Sequence, residues 1–254
     1  MEVVLGLVIA LAIGLTGVGA GTLTAPALIL WFDVPPAIAV GTALAFGATV
    51  KLPAVASYLM RKQVDFRAFR SMAIGGIPGV VLGGLVLHWL DQGRLRGVVL
   101  LIVGVVVVVS ALFSLFRRHA AEGTETPERR RWLPPLSALI GVEVGFSSAG
   151  AGALGTLVLF HFTSLTAVQV VGTDLLFGIS LAAVGGSLQA AFGSWDPQLL
   201  LKLLAGGVVG AIVGANLAVV VPPKALRTGL MLWLLYVGGH ITVKAVGVLA
   251  AALG

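Results

Sequence analysis

Two stretches of small residues interrupt apolar runs that are otherwise long enough to cross a bilayer. The first, Gly14-Leu15-Thr16-Gly17-Val18-Gly19-Ala20-Gly21-Thr22-Leu23-Thr24-Ala25-Pro26, lies inside an uncharged run from Val3 to Phe32. The second, Gly145-Phe146-Ser147-Ser148-Ala149-Gly150-Ala151-Gly152-Ala153-Leu154-Gly155, recurs 131 residues later inside another apolar run. Hydrocarbon offers no partner to a freed peptide group, so irregular backbone at that depth survives only against protein or a cavity. Two such breaks at corresponding places have the pattern of a transporter's discontinuous helices near mid-membrane.

Only 10% of the 254 residues are charged and 58% are hydrophobic. Soluble domains carry about 25% charge, so most of this surface has to face lipid. Cysteine is absent, which excludes disulfides, thiolate metal sites and a nucleophilic thiol. His88, His119, His161 and His240 show no ligand spacing, and neither a metal nor a cofactor is expected. The net charge of +6 does not point to nucleic acid, because the basic residues sit at segment ends, as the positive-inside bias requires. The expected partners are a small anion and the lipid bilayer, with homo-oligomerisation left open. Met1-Glu2 opens without a basic region, and the first segment is read as retained in the membrane rather than cleaved.

Apolar segments of spanning length, about 20 residues each, fall near 3–32, 37–60, 70–90, 97–116, 133–162, 166–192, 199–221 and 229–251. A polar linker, 117–131, holds five arginines and three glutamates and divides a first repeat, 1–116, from a second, 132–254. One constant offset of 131 aligns Gly14/Gly145, Gly19/Gly150, Gly21/Gly152, Val40-Gly41-Thr42/Val171-Gly172-Thr173 and Phe46-Gly47/Phe177-Gly178. It also aligns Asp65/Asp196, Gly75-Gly76/Gly206-Gly207, Gly79/Gly210, Gly83/Gly214 and Leu95-Arg96/Leu226-Arg227. Matched Asp, Thr and Leu-Arg carry more weight here than apolar coincidences. The chain is a duplication.

Total charge does not orient the halves, since parallel and inverted arrangements both place 11 basic residues on one side and 4 on the other. Two local features favour inversion. The loop Arg61–Arg70 carries four basic residues and its repeat-equivalent Phe192–Leu201 none. Thirty residues of straight helix measure about 45 Å, too long for a core of roughly 30 Å, whereas two arms of about 20 Å each enter and return. The expected fold is an all-α integral membrane protein of two homologous four-segment halves, read as inverted repeats whose first segments are broken or re-entrant.

The ordered set of a Gly-rich first segment ending in proline (Gly17 to Pro26), Val34-Pro35-Pro36, Ala39-Val40-Gly41-Thr42, Val64-Asp65 and a Gly-rich third segment, all duplicated, resembles the TauE/SafE sulfite-exporter family. The resemblance covers nearly the whole chain outside the linker. It implies movement of small sulfur-containing anions or organosulfonates across the bacterial inner membrane, coupled to an ion gradient. This chain departs from the pattern at Ser148-Ala149-Gly150-Ala151-Gly152, at Leu157 in place of the proline, and at Asp174 after Gly172-Thr173.

Ionisable groups deep in a bilayer are costly unless they face a cavity or a partner. Three are expected there. Lys51 lies ten residues before Arg61, roughly 15 Å deeper along a helix, and Asp174 and Glu143 lie comparably far in. Their repeat partners are Ala182, Ala43 and Ala12. Lys51 is read as the cationic element of an anion site, with a structural pair to Asp174 or Glu143 as the competing reading. Asp174 and Glu143 are candidates for the coupling proton. Gly17, Gly19, Gly21, Gly150 and Gly152, with Thr22, Ser147 and Ser148, are read as substrate-binding through exposed backbone N–H groups and hydroxyls; close helix packing is the alternative. Thr42 and Thr173 are candidate hydroxyl donors, capping being equally open. Asp65 and Asp196 are read as helix N-caps, and Gly75, Gly76, Gly79 and Gly83 as packing glycines. Gln169, Gln189 and Asn216 are polar groups within apolar segments.

The functional expectation is a secondary transporter of a small oxyanion, proton-coupled, alternating access around a midplane site. A passive anion channel is the alternative. An intramembrane enzyme is disfavoured because the chain lacks Cys, a Ser/His pair at helical spacing and a paired-acid motif.

Overall fold

With no water to bond the backbone, a chain of this composition has to satisfy its peptide groups within helices. The computed structural model of the protein describes residues 1–16, 20–91, 96–116, 129–149, 152–217, 232, 233 and 235–247, and all regular structure among them is helical. The first half contains α1 (Glu2–Thr16), α2 (Ala20–Trp31), α3 (Pro36–Met60), α4 (Phe66–Asp91) and α5 (Arg96–Phe116). The second contains α6 (Leu133–Ser147), entered through a 3-10 turn at Arg130–Trp132, then α7 (Ala153–Phe162), α8 (Ala167–Ala191) and α9 (Pro197–Leu217). A further helical stretch covers residues 235–247.

Among the described residues, four helices are long and apolar enough to cross a membrane: α3, α4, α8 and the first 18 residues of α9. The first and fifth apolar segments are not single helices. Each is split, into α1 and α2 (15 and 12 residues) and into α6 and α7 (15 and 10 residues). Fifteen residues reach about 22 Å, short of a core of roughly 30 Å. The second break is explicit in the backbone: Ser148 (φ 58°) ends α6 in the left-handed region and Gly152 (φ 108°) precedes α7, a conformation glycine adopts without a Cβ penalty. The N–H of Arg129 donates to the carbonyl of Phe162 at 3.1 Å, so α6–α7 enters and leaves the bundle at one end.

Glycine spacing decides how the helices pair. A side chain at Gly75, Gly79 or Gly83 of α4 would fall on the carbonyl oxygens of Pro134, Ala138 or Val142 of α6. One at Gly206, Gly210 or Gly214 of α9 would fall on those of Val3, Leu7 or Leu11 of α1. The two contact rows are copies of each other at the offset of 131, and in each the backbones touch along parallel helices, as small-residue packing allows. Gly76 and Gly207 likewise seat the rings of Phe177 and Phe46, both fully buried.

The central pair is α3 with α8. Gly41 packs under the carbonyl of Ser194 and Gly172 under that of Gln63. The N–H of Asp196 donates to Thr42 Oγ1 at 3.1 Å, and the N–H of Asp65 to Thr173 Oγ1 at 2.9 Å. Each threonine sits in the opening turns of one helix and each aspartate just past the end of the other, so α3 and α8 run antiparallel. Both aspartates then cap the next helix: Asp65 Oδ1 accepts from Ala68 N–H at 2.6 Å and Asp196 Oδ1 from Leu199 N–H at 3.0 Å. These are the N-caps expected at those positions.

The two ends of the bundle differ in charge. Arg61, Lys62, Arg67, Arg70, Arg129 and Arg131 are exposed at the end where α3 finishes and α4 and α6 start; Arg130 there pairs with Asp65 at 3.4 Å. At the opposite end Lys202 pairs with Glu2 at 3.3 Å and Lys244 with Asp33.

Candidate functional site

The two helix breaks touch. Ser148, just past the end of α6, donates its hydroxyl to the carbonyl of Gly21 in the first turn of α2 at 3.0 Å, and a Cβ at Gly21 would fall on the Ser148 carbonyl. Ser147 is fully buried. Its hydroxyl donates to the Glu143 carbonyl at 2.9 Å and accepts from Ala149 N–H at 3.2 Å. The two serines therefore fold the end of α6 over onto α2. Thr22 and Thr24 are buried in the adjoining turn of α2. Gly17, Gly19 and Gly150, expected to contribute to this place, lie outside the described residues.

Lys51 is 8% exposed and Asp174 5% exposed, and their charges act on each other across the α3–α8 interface. No direct ion pair joins them among the described contacts; the interaction acts at a distance. Asp174 also reaches a break: its Oδ1 occupies the place a Gly155 side chain would take, in the first turn of α7. A carboxylate at a helix N-terminus gains from the local excess of N–H dipoles. The repeat relation sharpens the picture. The counterparts of Lys51, Asp174 and Gly155 are Ala182, Ala43 and Thr24, so only one of two related positions holds opposite charges. Isolated charges are costly in that interior, and opposite charges that act on each other offset part of the desolvation cost.

Glu143 is half-buried on α6, one turn before Ser147, and enters the break through its carbonyl. Thr42 and Thr173 do not join the breaks. Their hydroxyls, fully buried, accept from the loop N–H groups of Asp196 and Asp65 and tie α3 and α8 together at the bundle ends. Among the residues expected at the site, the structure thus unites Gly21 with Ser148 and Ser147, and couples Lys51 to Asp174. Gly155 was not singled out from the sequence; its alignment with Thr24 in the small-residue stretch was the available signal.

A lipid-facing helical bundle, with two interrupted helices meeting inside it beside a buried charged pair, defines a membrane transporter. The chain belongs to the sulfite exporter TauE/SafE family, whose model matches residues 3–241. It is 32% identical over 236 residues to the probable membrane transporter protein YjnA of Bacillus subtilis, covering 89% of this chain and 92% of that one. It is 26% identical to the probable membrane transporter protein YdhB of the same organism, over 87% of this chain and 90% of that one. With the probable membrane transporter protein y4hK of Sinorhizobium fredii the identity is 31%, over 69% and 72%. No solved structure matches. Family and relatives are membrane transporters, not enzymes.

Proposed function

We propose that the protein moves a small sulfur-containing oxyanion or organosulfonate across the inner membrane, with a proton, by alternating access around a site between the two breaks. The observation that carries this reading is the Ser148–Gly21 contact, which joins interrupted helices from both halves, with Asp174 at the first turn of α7 and the buried Lys51 within reach of its charge. Lys51 supplies the attraction for the anion. With Asp174 ionised, the lysine charge is already balanced. A proton on Asp174 releases that balance and leaves Lys51 to the anion, so anion and proton travel together and the loaded site stays near neutral. Gly21, Gly152, Thr22, Ser147 and Ser148 line the approach, and Glu143 stands one turn away as the second candidate proton carrier.

The two halves are, in this proposal, inverted repeats with re-entrant first segments. The antiparallel course of α3 and α8 supports it, as does the single end at which α6–α7 enters and leaves. The contacts of Gly75, Gly79 and Gly83 on α6 also reappear as those of Gly206, Gly210 and Gly214 on α1. The basic end is cytoplasmic by the positive-inside rule. Proteoliposomes carrying the purified protein distinguish carrier from channel. Under an imposed pH gradient, labelled sulfite is expected to accumulate above its equilibrium distribution. Equilibration without accumulation would replace the carrier by a passive anion channel.

A further inference from the structure

Gln189 is fully buried near the end of α8, and neither its amide nitrogen nor its amide oxygen meets a hydrogen-bond partner among the described residues. Leaving such a group unpaired costs about 1–3 kcal/mol, and a buried polar atom without a partner calls for an explanation. Glycines make the room around it. Gly41 of α3 packs against its Cβ, at 2.9 Å from where its own side chain would begin. At Gly84 of α4 a side chain would start 3.8 Å from Gln189 Nε2 and 3.9 Å from the carbonyl oxygen of Gly145. Gly145 belongs to the second small-residue stretch, in the last turn of α6. The carboxamide and the last turn of the broken helix therefore border the same point on α4, whereas Lys51 and Asp174 lie toward the basic end of the bundle. Its repeat counterpart, Tyr58, packs against Gly172 as Gln189 packs against Gly41. The same location thus holds a phenol in one half and an amide in the other.

A carboxamide is neutral and offers two N–H donors and one acceptor. In a low-dielectric interior its bond to an anion is charge-assisted and strong, yet it adds no fixed charge that would trap a ligand on its way through. We propose that Gln189 is a substrate contact. Its Nε2 donates to an oxygen of the transported oxyanion on the side of the breaks away from Lys51, and its Oε1 accepts from the ligand's hydroxyl or from a water travelling with it. The assignment rests on the oxyanion reading above.

Gln189→Met tests it, because methionine is unbranched, of similar length and apolar. Gln189→Asn keeps the amide one methylene short. Flux of labelled sulfite into proteoliposomes is measured over a range of concentrations, together with the melting temperature of the purified protein. The expected result for Gln189→Met is a KM raised between about tenfold and a hundredfold, the range for a lost hydrogen bond to a charged partner. The change in kcat is expected to be smaller and the melting temperature equal or higher, since an unpaired amide has gone. Gln189→Asn should fall between. Wild-type KM in Gln189→Met overturns the contact, as does a change in melting temperature alone. If Gln189→Met does not accumulate, Gln189→Asn decides: an unchanged KM overturns the contact and a raised KM at wild-type melting temperature supports it. A wild-type protein that moves neither sulfite, sulfate nor a sulfonate removes the substrate reading and this contact with it. Normal wild-type transport beside normal Gln189→Met transport removes the contact alone.

Discussion

Lys51→Ala is expected to abolish transport. The same substitution removes the cation whose charge acts on the buried Asp174, and removing one member of a buried charge pair costs up to about 3–5 kcal/mol. A loss of activity in Lys51→Ala alone therefore mixes two effects, failed anion attraction and weakened folding. The double variant Lys51→Met/Asp174→Asn separates them. It restores near-neutrality with side chains of similar volume, and replacing a whole buried pair by uncharged groups is often neutral for stability. The expected outcome is membrane levels and melting temperature close to wild type, with transport still absent. Wild-type flux in either variant would remove Lys51 from the site. The alanine pair Ala43 and Ala182 makes a useful internal control, since it occupies the related position in a fold that carries no charge there.

The second large effect is on assembly. Gly206→Ala and Gly75→Ala place a methyl group on the carbonyl oxygens of Val3 and Pro134, which are backbone atoms and cannot turn aside. Overpacking a tight interface costs about 1–3 kcal/mol, and here two helices would have to separate along their length, so the cost is expected at or above the top of that range. Both variants should lower the melting temperature sharply, and by similar amounts, because the two interfaces are copies. Gly239→Ala, whose Cβ would meet nothing within 4 Å, should leave it unchanged. A wild-type melting temperature in Gly206→Ala would mean that α1 and α9 do not approach as closely as described.

Much of this packing was legible in the sequence because it is written twice. Gly75, Gly79 and Gly83 recur as Gly206, Gly210 and Gly214, and an apolar chain has no other reason to keep glycines in register than backbone contact. Asp65 and Asp196 were recognisable as caps since each lies in a short loop just before a spanning segment. The pairing of Lys51 with Asp174 was less accessible. These residues are not repeat equivalents, and their charges come within range of each other only because α3 and α8 lie antiparallel, a relation that no single-chain periodicity contains. Thr42 and Thr173 looked like ligand groups for the same reason: their partners, the N–H groups of Asp196 and Asp65, are 154 and 108 residues away. Segment length was informative at two places, where 30 apolar residues are too long for one span and form a pair of shorter helices. The left-handed Ser148 is invisible in composition and obvious in the backbone.

The proposal that the halves are inverted, so that two returning segments meet inside the membrane, has a direct test that the composition makes simple. The chain has no cysteine, and Arg67 and Gln198 are exposed residues at repeat-equivalent positions, each the second residue of its helix, α4 and α9. Single variants Arg67→Cys and Gln198→Cys are labelled in intact cells with a membrane-impermeant maleimide, before and after permeabilisation. The account predicts that Gln198→Cys is labelled from outside and Arg67→Cys only once the membrane is opened. Labelling of both from the same side would contradict it.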